Sequence, residues 1–403
     1  MTIRKDAEVI GLISLAHGSS HFFQLILAPL FPWLKVEFGL SYAELGLLMT
    51  IFFIVSTFSQ AAAGFWVDHS GPFKVLLFGV GTLFISAVIL SFASGYFVLM
   101  FGSALAGLGN GIFHPADYTL INRRVSSSRV AHAYSMHGIS GALGWAASPA
   151  FLVAVTTLVG WRSALHAAAF AIACIFFLLV FRRHLLIGSD SERADEASNK
   201  KTQSAFSLSF LKLPAVWLCW IFFLLTSLAL SGVQSFAPTA LRVLYDLPIA
   251  LTTTAYSSYM LASATGMFIG GFVASRAKFP ERIVAVAFMA ASFFAVIVGL
   301  TIFTGTSTLT IFTLIGFFVG IAGPSRDLMI RKATPKEASG RVFGIVYSGL
   351  DLGLAIGPIF FGLIMDLNYE PILFFMIAVF LFLAIFTASR VAQNSPTVEP
   401  IIK

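Results

Sequence analysis

Twelve apolar runs divide this chain, each long enough to cross the roughly 30 Å of bilayer hydrocarbon, which takes about 20 mostly apolar residues in a helix. They fall near residues 9–34, 42–67, 73–93, 96–121, 130–158, 162–181, 214–240, 250–274, 282–304, 307–330, 341–366 and 371–389. Short joints rich in Gly, Pro, Ser and charge separate them. A chain in lipid must satisfy its own backbone N–H and C=O groups, so only helices or closed barrels can span. The alternation over about ten residues that marks a membrane barrel strand is absent. The expected fold is therefore all-α and integral to the membrane, with twelve transmembrane helices in two pseudo-symmetric six-helix bundles. Composition agrees: 58% of the 403 residues are hydrophobic and 11% charged, where a soluble domain is about a quarter charged.

The formal charge of +7 would suit nucleic acid in a soluble protein. Here the basic residues collect on one side of the membrane. With both termini placed together, only Lys35, Arg162 and Arg242 of the 25 Lys and Arg fall toward the opposite face. The positive-inside rule makes the terminal side cytoplasmic. The first apolar run is too long for a cleaved signal and lacks a small-residue cleavage site, so it serves as the first span. Cys174 and Cys219 lie inside spans, where they act as small apolar residues rather than as a disulfide or metal pair.

One long hydrophilic stretch, about Arg182 to Lys212, separates six spans from six. It reads as a flexible cytoplasmic linker, giving bundles at 1–184 and 213–403 with the linker at 185–212. The halves align with each other. The joint GFWVDHSGPFK from Gly64 to Lys74 recurs, worn, as GFVASRAKFPE from Gly271, 207 residues later. His17-Gly18 matches Ser231-Gly232, Asp117 matches Asp327, and Arg129-Val130 matches Arg341-Val342. Such repeats usually place a substrate site at their interface near the bilayer midplane.

The joint resembles the signature loop of the major facilitator superfamily, a pattern of roughly GxxxDxxGxx followed by a basic residue, through Gly64, Asp68, Gly71 and Lys74. Length, span number, linker and repeat extend the resemblance over nearly the whole chain. HGSSHFFQLILA, VEFGLSYAELGLL from Val36 and GLGNGIFHPADY from Gly107 look like the fosmidomycin resistance branch of bacterial drug exporters. Two positions depart from that branch: His21 stands where an acidic residue is expected, and the carboxylate expected directly after Pro115 comes one later, as Asp117. The Arg found in the fourth span of drug/proton antiporters aligns with Ser103. The superfamily resemblance implies that Asp68 latches the cytoplasmic side, facing the start of the eleventh helix near Arg341. The second joint carries Ser275 in place of that acid, so Asp68→Asn is expected to impair state switching while changes at Ser275 do little.

His17, His21 and Gln24 recur at i, i+4 and i+7, and so share one helical face. Ser227, Ser231, Gln234, Ser235, Pro238 and Arg242 form the corresponding stripe in the seventh span. Polar groups in the bilayer face a cavity or another helix, and both readings stand, since Ser and Gln also serve as glue between helices. The fourth span carries His114, Pro115 and Asp117, and the tenth carries Pro324, Arg326 and Asp327, as either proton-exchanging cavity groups or cytoplasmic gate contacts. Gly107, Gly109 and Gly111 permit close approach by a neighbour. His132 and His137 open the fifth span, where Gly138, Gly141 and Gly144 offer a smooth packing face. Arg242 either attracts an anionic solute or pairs with Asp246. If protons drive transport, Asp117, His21 and Glu44 are the candidates, since histidine titrates near neutral pH.

The chain is thus expected to be no enzyme but a monomeric secondary transporter of the bacterial inner membrane. It lacks a nucleophile and base at usable spacing, a metal-ligand cluster and a phosphate-cradling loop, and calls for no cofactor or metal. Its partners would be a small-molecule solute, protons and lipid, not nucleic acid. Proton-coupled efflux of a drug-like or anionic compound by alternating access is the leading expectation. Uptake of an organic anion by symport or facilitated diffusion, or a transporter-like sensor, are the alternatives.

Overall fold

The computed structural model describes residues 3–126, 129–187, 213–303, 305–333 and 339–394. Residues 188–212 of the linker expected at 185–212 lie outside them, and so do the side chains of Asp68, Ser275, Asp327 and Arg341. In chain order the helices are α1 (Ile3–Gln24), α2 (Phe31–Phe38), α3 (Tyr42–Ser70), α4 (Pro72–Ser91), α5 (Tyr96–Asn110), α6 (Phe113–Arg124), α7 (Val130–Val159), α8 (Trp161–Phe181) and the short α9 (Arg183–Leu186). After the linker come α10 (Pro214–Ser235), α11 (Ala237–Tyr245), α12 (Ile249–Ser275), α13 (Pro280–Gly299), α14 (Thr306–Ala333), α15 (Ser339–Asp366) and α16 (Glu370–Asn394). Among the described residues, twelve segments, from Ile3–Phe38 to Glu370–Val391, are long and apolar enough to cross a membrane. The outer surface is apolar in keeping with that: Phe97 is 83% exposed and Leu158 82%, positions that lipid rather than water must cover.

Three expected spans are interrupted, each at a proline. The first does not run unbroken over 9–34: α1 stops at Gln24, a 3-10 turn covers Ala28–Leu30, and α2 follows. Pro29 and Pro32 lack a backbone N–H and so cannot donate to the carbonyls four residues back, while Phe31, just before Pro32, stays helical at φ −48° and ψ −42°. Gly39, at φ 65°, ends α2 with its N–H on the Lys35 carbonyl, a left-handed cap that glycine adopts without steric cost. The fourth span breaks between Asn110 and Phe113, because Pro115 cannot donate to the Gly111 carbonyl. In the seventh, Pro238 likewise denies a donor to Gln234, and the chain restarts as α11. Pro149, Pro324 and Pro358 sit inside continuous helices.

The chain groups into two compact units. One comprises residues 1–40 with 47–206, and the other residues 41–46 with 207–403. In the first, α7 lies on α1 so closely that a Cβ on Gly144 would sit 2.1 Å from the Gly18 carbonyl oxygen. On α5, a Cβ on Gly107 would fall 2.2 Å from the Phe52 carbonyl oxygen, and one on Gly111 would fall 2.4 Å from that of Ser56, both on α3. Small residues are what let membrane helices pack at this range, since the hydrophobic effect does not drive helices together in lipid. The second unit repeats the device with Gly316 and Gly320 of α14 against Tyr259 and Ser263 of α12, at 2.3 and 2.0 Å. Phe52 and Ser56 correspond to Tyr259 and Ser263 at the 207-residue offset of the polar joint, so the repeat is carried in packing as well as in sequence.

Candidate functional site

Inside the first unit, the broken fourth span turns α6 so that His114 and Asp117 meet α1 and α7. Asp117 is fully buried. Its Oδ2 lies 3.2 Å from His137 Nε2 in a hydrogen bond, and 3.2 Å from His17 Nδ1 in an approach off the hydrogen-bonding line. The His17 and His137 rings stack at 3.4 Å between centroids and 21° between planes. His21 follows one turn along α1, 4.5 Å from His17, and His114 lies 5.3 Å from His17 and 6.3 Å from His21. Four imidazoles and one carboxylate thus share a single cluster among α1, α6 and α7.

The α1–α7 approach explains where His21 sits. Gly141 leaves room for its ring, whose Cε1 is 2.8 Å from where a Cβ would stand. Neither His21 nitrogen has a hydrogen-bond partner among the described residues, and neither has Asp117 Oδ1. A buried polar atom without a partner costs about 1–3 kcal/mol, so these atoms point to something that the side chains themselves do not supply.

A neutral network adjoins the cluster. Trp145 Nε1 donates to Gln24 Oε1 at 2.8 Å, Gln24 Nε2 donates to Asn110 Oδ1 at 3.2 Å, and Asn110 Nδ2 donates to Ser56 Oγ at 2.8 Å. It joins α7, α1, α5 and α3. Gln60 Oε1 lies 2.9 Å from His114 Nδ1. An amide oxygen only accepts, so His114 carries its proton on Nδ1 and keeps Nε2 bare. Tyr118 stacks on His114 and lies 5.0 Å from His137. Tyr118 is 42% exposed.

The structure therefore gathers His17, His21, His114, Asp117 and His137, with Gln24 beside them. The remaining candidates lie elsewhere. Glu44 closes a capping box at the start of α3: its Oε2 accepts from Ser41 N at 2.8 Å and Ser41 Oγ at 2.9 Å, while Ser41 Oγ accepts from Glu44 N at 3.1 Å. In the second unit Ser231, Gln234 and Ser235 are buried; Ser231 Oγ has no hydrogen-bond partner among the described residues, and the Gln234 amide lies beside the buried Tyr256 hydroxyl. Arg326 lies over the Phe223 ring at 5.2 Å, a cation–π distance. Arg242 is exposed on α11. Gly64, Gly71 and Lys74 flank the α3–α4 joint, with Gly71 at φ 83°.

Trp145, Gln60, Asn110 and Ser56 are participants that sequence reasoning did not pick out. Their signals were present: Ser56, Ser59 and Gln60 share a face of an apolar run, and Trp145 follows the glycine face of the fifth. One ring nitrogen each from His17, His21 and His114, or a donor set of His17, Asp117 and His137, lie within 4.8 Å of one another, which is a metal-ligand grouping that the sequence spacing had not suggested.

The profile described as Major Facilitator Superfamily matches residues 13–325 and 278–401. The Fosmidomycin resistance protein of Escherichia coli (strain K12) is 23% identical over 366 residues, covering 90% of this chain and 87% of that protein. The Nitrite extrusion protein of Bacillus subtilis (strain 168) is 30% identical over 148 residues, 37% of each chain. A solved bacterial homolog of the human lysosomal transporter Spinster, inward-facing and occupied, superposes with a TM-score of 0.80 at 12% identity, covering 99% of this chain and all of that one.

Proposed function

The chain belongs to the major facilitator superfamily and is a multi-pass membrane transporter of small solutes, and on that premise we propose that it exports an anionic or drug-like organic compound in exchange for protons. The observation that carries this reading is Asp117, buried in the first unit between His17 and His137 with His21 and His114 beside it. Charged side chains cost about 2.5–3.5 kcal/mol at the centre of a membrane helix. Apolar residues would fill this volume more cheaply, so a cluster of this kind fits a path for ions rather than packing. A carboxylate held by imidazoles can take up and release a proton within hydrogen-bond range. The buried Ser231 and Gln234 of the second unit fit the recognition of a polar solute.

Efflux draws support from relatives whose names describe resistance and extrusion. The cell would hold the protein in its inner membrane with both termini in the cytoplasm, working as a monomer by alternating access. The joint at Gly64–Lys74 would act on the cytoplasmic side with Asp68 as its acid.

The test is flux in proteoliposomes under an imposed pH gradient, across a panel of organic anions and drug-like compounds. Asp117→Asn should lower pH-driven flux at least tenfold while solute exchange without a gradient persists. Unchanged pH-driven flux in both Asp117→Asn and His21→Ala would sink the proton assignment, and flux indifferent to the gradient in the unaltered protein would favour facilitated uptake.

A further inference from the structure

We propose that His17, His21 and His114 form a binding site for a late first-row divalent transition metal ion, such as Zn²⁺, Ni²⁺ or Co²⁺, that ties α1 to α6. Three imidazoles suit these metals, whereas Mg²⁺ and Ca²⁺ take oxygen ligands. One nitrogen from each ring already lies within 4.8 Å of the others. A tetrahedral centre with bonds of about 2.0–2.1 Å needs its ligand atoms about 3.3 Å apart, which small side-chain rotations supply. The ring planes are inclined to one another, at 57° for His17–His21, 53° for His17–His114 and 90° for His21–His114, so no pair of them is stacked face to face.

Two further observations point to a ligand. His21 is buried with both nitrogens unpartnered. The ring of His114 is set for ligation by its neighbour, since Gln60 holds Nδ1–H at 2.9 Å and leaves the bare Nε2 as the coordinating atom. Asp117 Oδ2, 3.2 Å from His17 Nδ1 but off the hydrogen-bonding line, adds negative charge beside that ring. The grouping of His17, Asp117 and His137 is the weaker one. Its two rings stack nearly parallel at 3.4 Å, so their in-plane lone pairs do not converge on one ion.

The site does not depend on the transport reading, and its test involves no flux. Full-length protein in detergent, with any affinity tag removed, is titrated with Co²⁺ alone while the visible ligand-field absorption is followed. The expected result is one equivalent bound per chain with the intense band of low coordination, displaced by Zn²⁺. His21→Gln and His114→Gln should each weaken binding at least tenfold. Gln60→Met should weaken it by about 10–100-fold, the range for lost outer-shell support. His132→Ala, at an exposed position of α7, should leave it unchanged. Absence of the band in the unaltered protein would overturn the site, and so would equal binding in His21→Gln and His114→Gln. If either histidine variant fails to fold, Gln60→Met and the stoichiometry of the unaltered protein decide the matter.

Discussion

The Trp145 indole N–H reaches Gln24 Oε1 at 2.8 Å while the same ring lies 4.4 Å from His21. One side chain of α7 therefore positions two polar residues of α1, the first by a hydrogen bond and the second by ring contact. Trp145→Phe keeps the ring against His21 and removes the donor. Leaving a buried amide oxygen unpaired costs about 1–3 kcal/mol, which thermal unfolding in detergent should register as a lower Tm. Adding Gln24→Leu should then cost less than it does alone, and strict additivity in that double-mutant cycle would count against the coupling.

Gly144 and Gly138 lie on the same helix and should respond in opposite ways. An added Cβ at Gly144 meets the Gly18 carbonyl at 2.1 Å, backbone against backbone, whereas Gly138 has nothing within 4 Å. Gly144→Ala is expected to destabilise by about 1–3 kcal/mol, the usual cost of overpacking. Gly138→Ala should be neutral or gain up to about 1 kcal/mol from helix propensity. Equal shifts in Tm for the two variants would mean that α1 and α7 do not approach as described.

Glu44 separates a structural carboxylate from a coupling one. Glutamine also serves in a capping box, so Glu44→Gln should leave both stability and pH-driven flux near their original values. Ser41→Ala, which removes the oxygen facing Glu44 N, should cost about 0.5–2 kcal/mol. Loss of pH-driven flux in Glu44→Gln would instead return this residue to the proton path.

Asp117 and Gln234 should separate coupling from solute recognition. Asp117→Asn is expected to change the response to a pH gradient at every solute concentration. Gln234→Leu removes a buried amide of the second unit and should raise the KM for solute severalfold with the pH response intact. Matching losses in both parameters for both variants would argue against the division.

How legible the site was depends on how local its signals are. His17, His21 and Gln24 could be placed on one face because a helix repeats every 3.6 residues. The capping role of Glu44 was spelled out by SYAE, a serine three residues before an acid, yet its carboxylate drew attention as a titratable group in a span. The meeting of Asp117 with His137, and of Gln24 with Trp145 across 121 residues, follows from the choice of helix neighbours, which no local spacing encodes. The break at Gly111–Ile112 was half visible: Pro115 predicts a bend, but that the helix stops and restarts depends on Gly111 pressing against Ser56. Duplication was the most durable signal, since the offset of 207 that relates the polar joints also relates the residues that the glycines press against, with the glycines themselves 209 apart.

All eight histidines of the chain precede residue 207, and none lies in the second half. Where α1 carries His17 and His21, the aligned positions of α10 carry Ser231 and Ser235. The two halves keep one architecture but no longer share one chemistry. On the proposed division of labour, substitutions among the hydroxyl and amide groups of the second bundle would reshape which compounds are accepted without rewiring the imidazole–carboxylate cluster of the first, and cargo and motor would evolve apart.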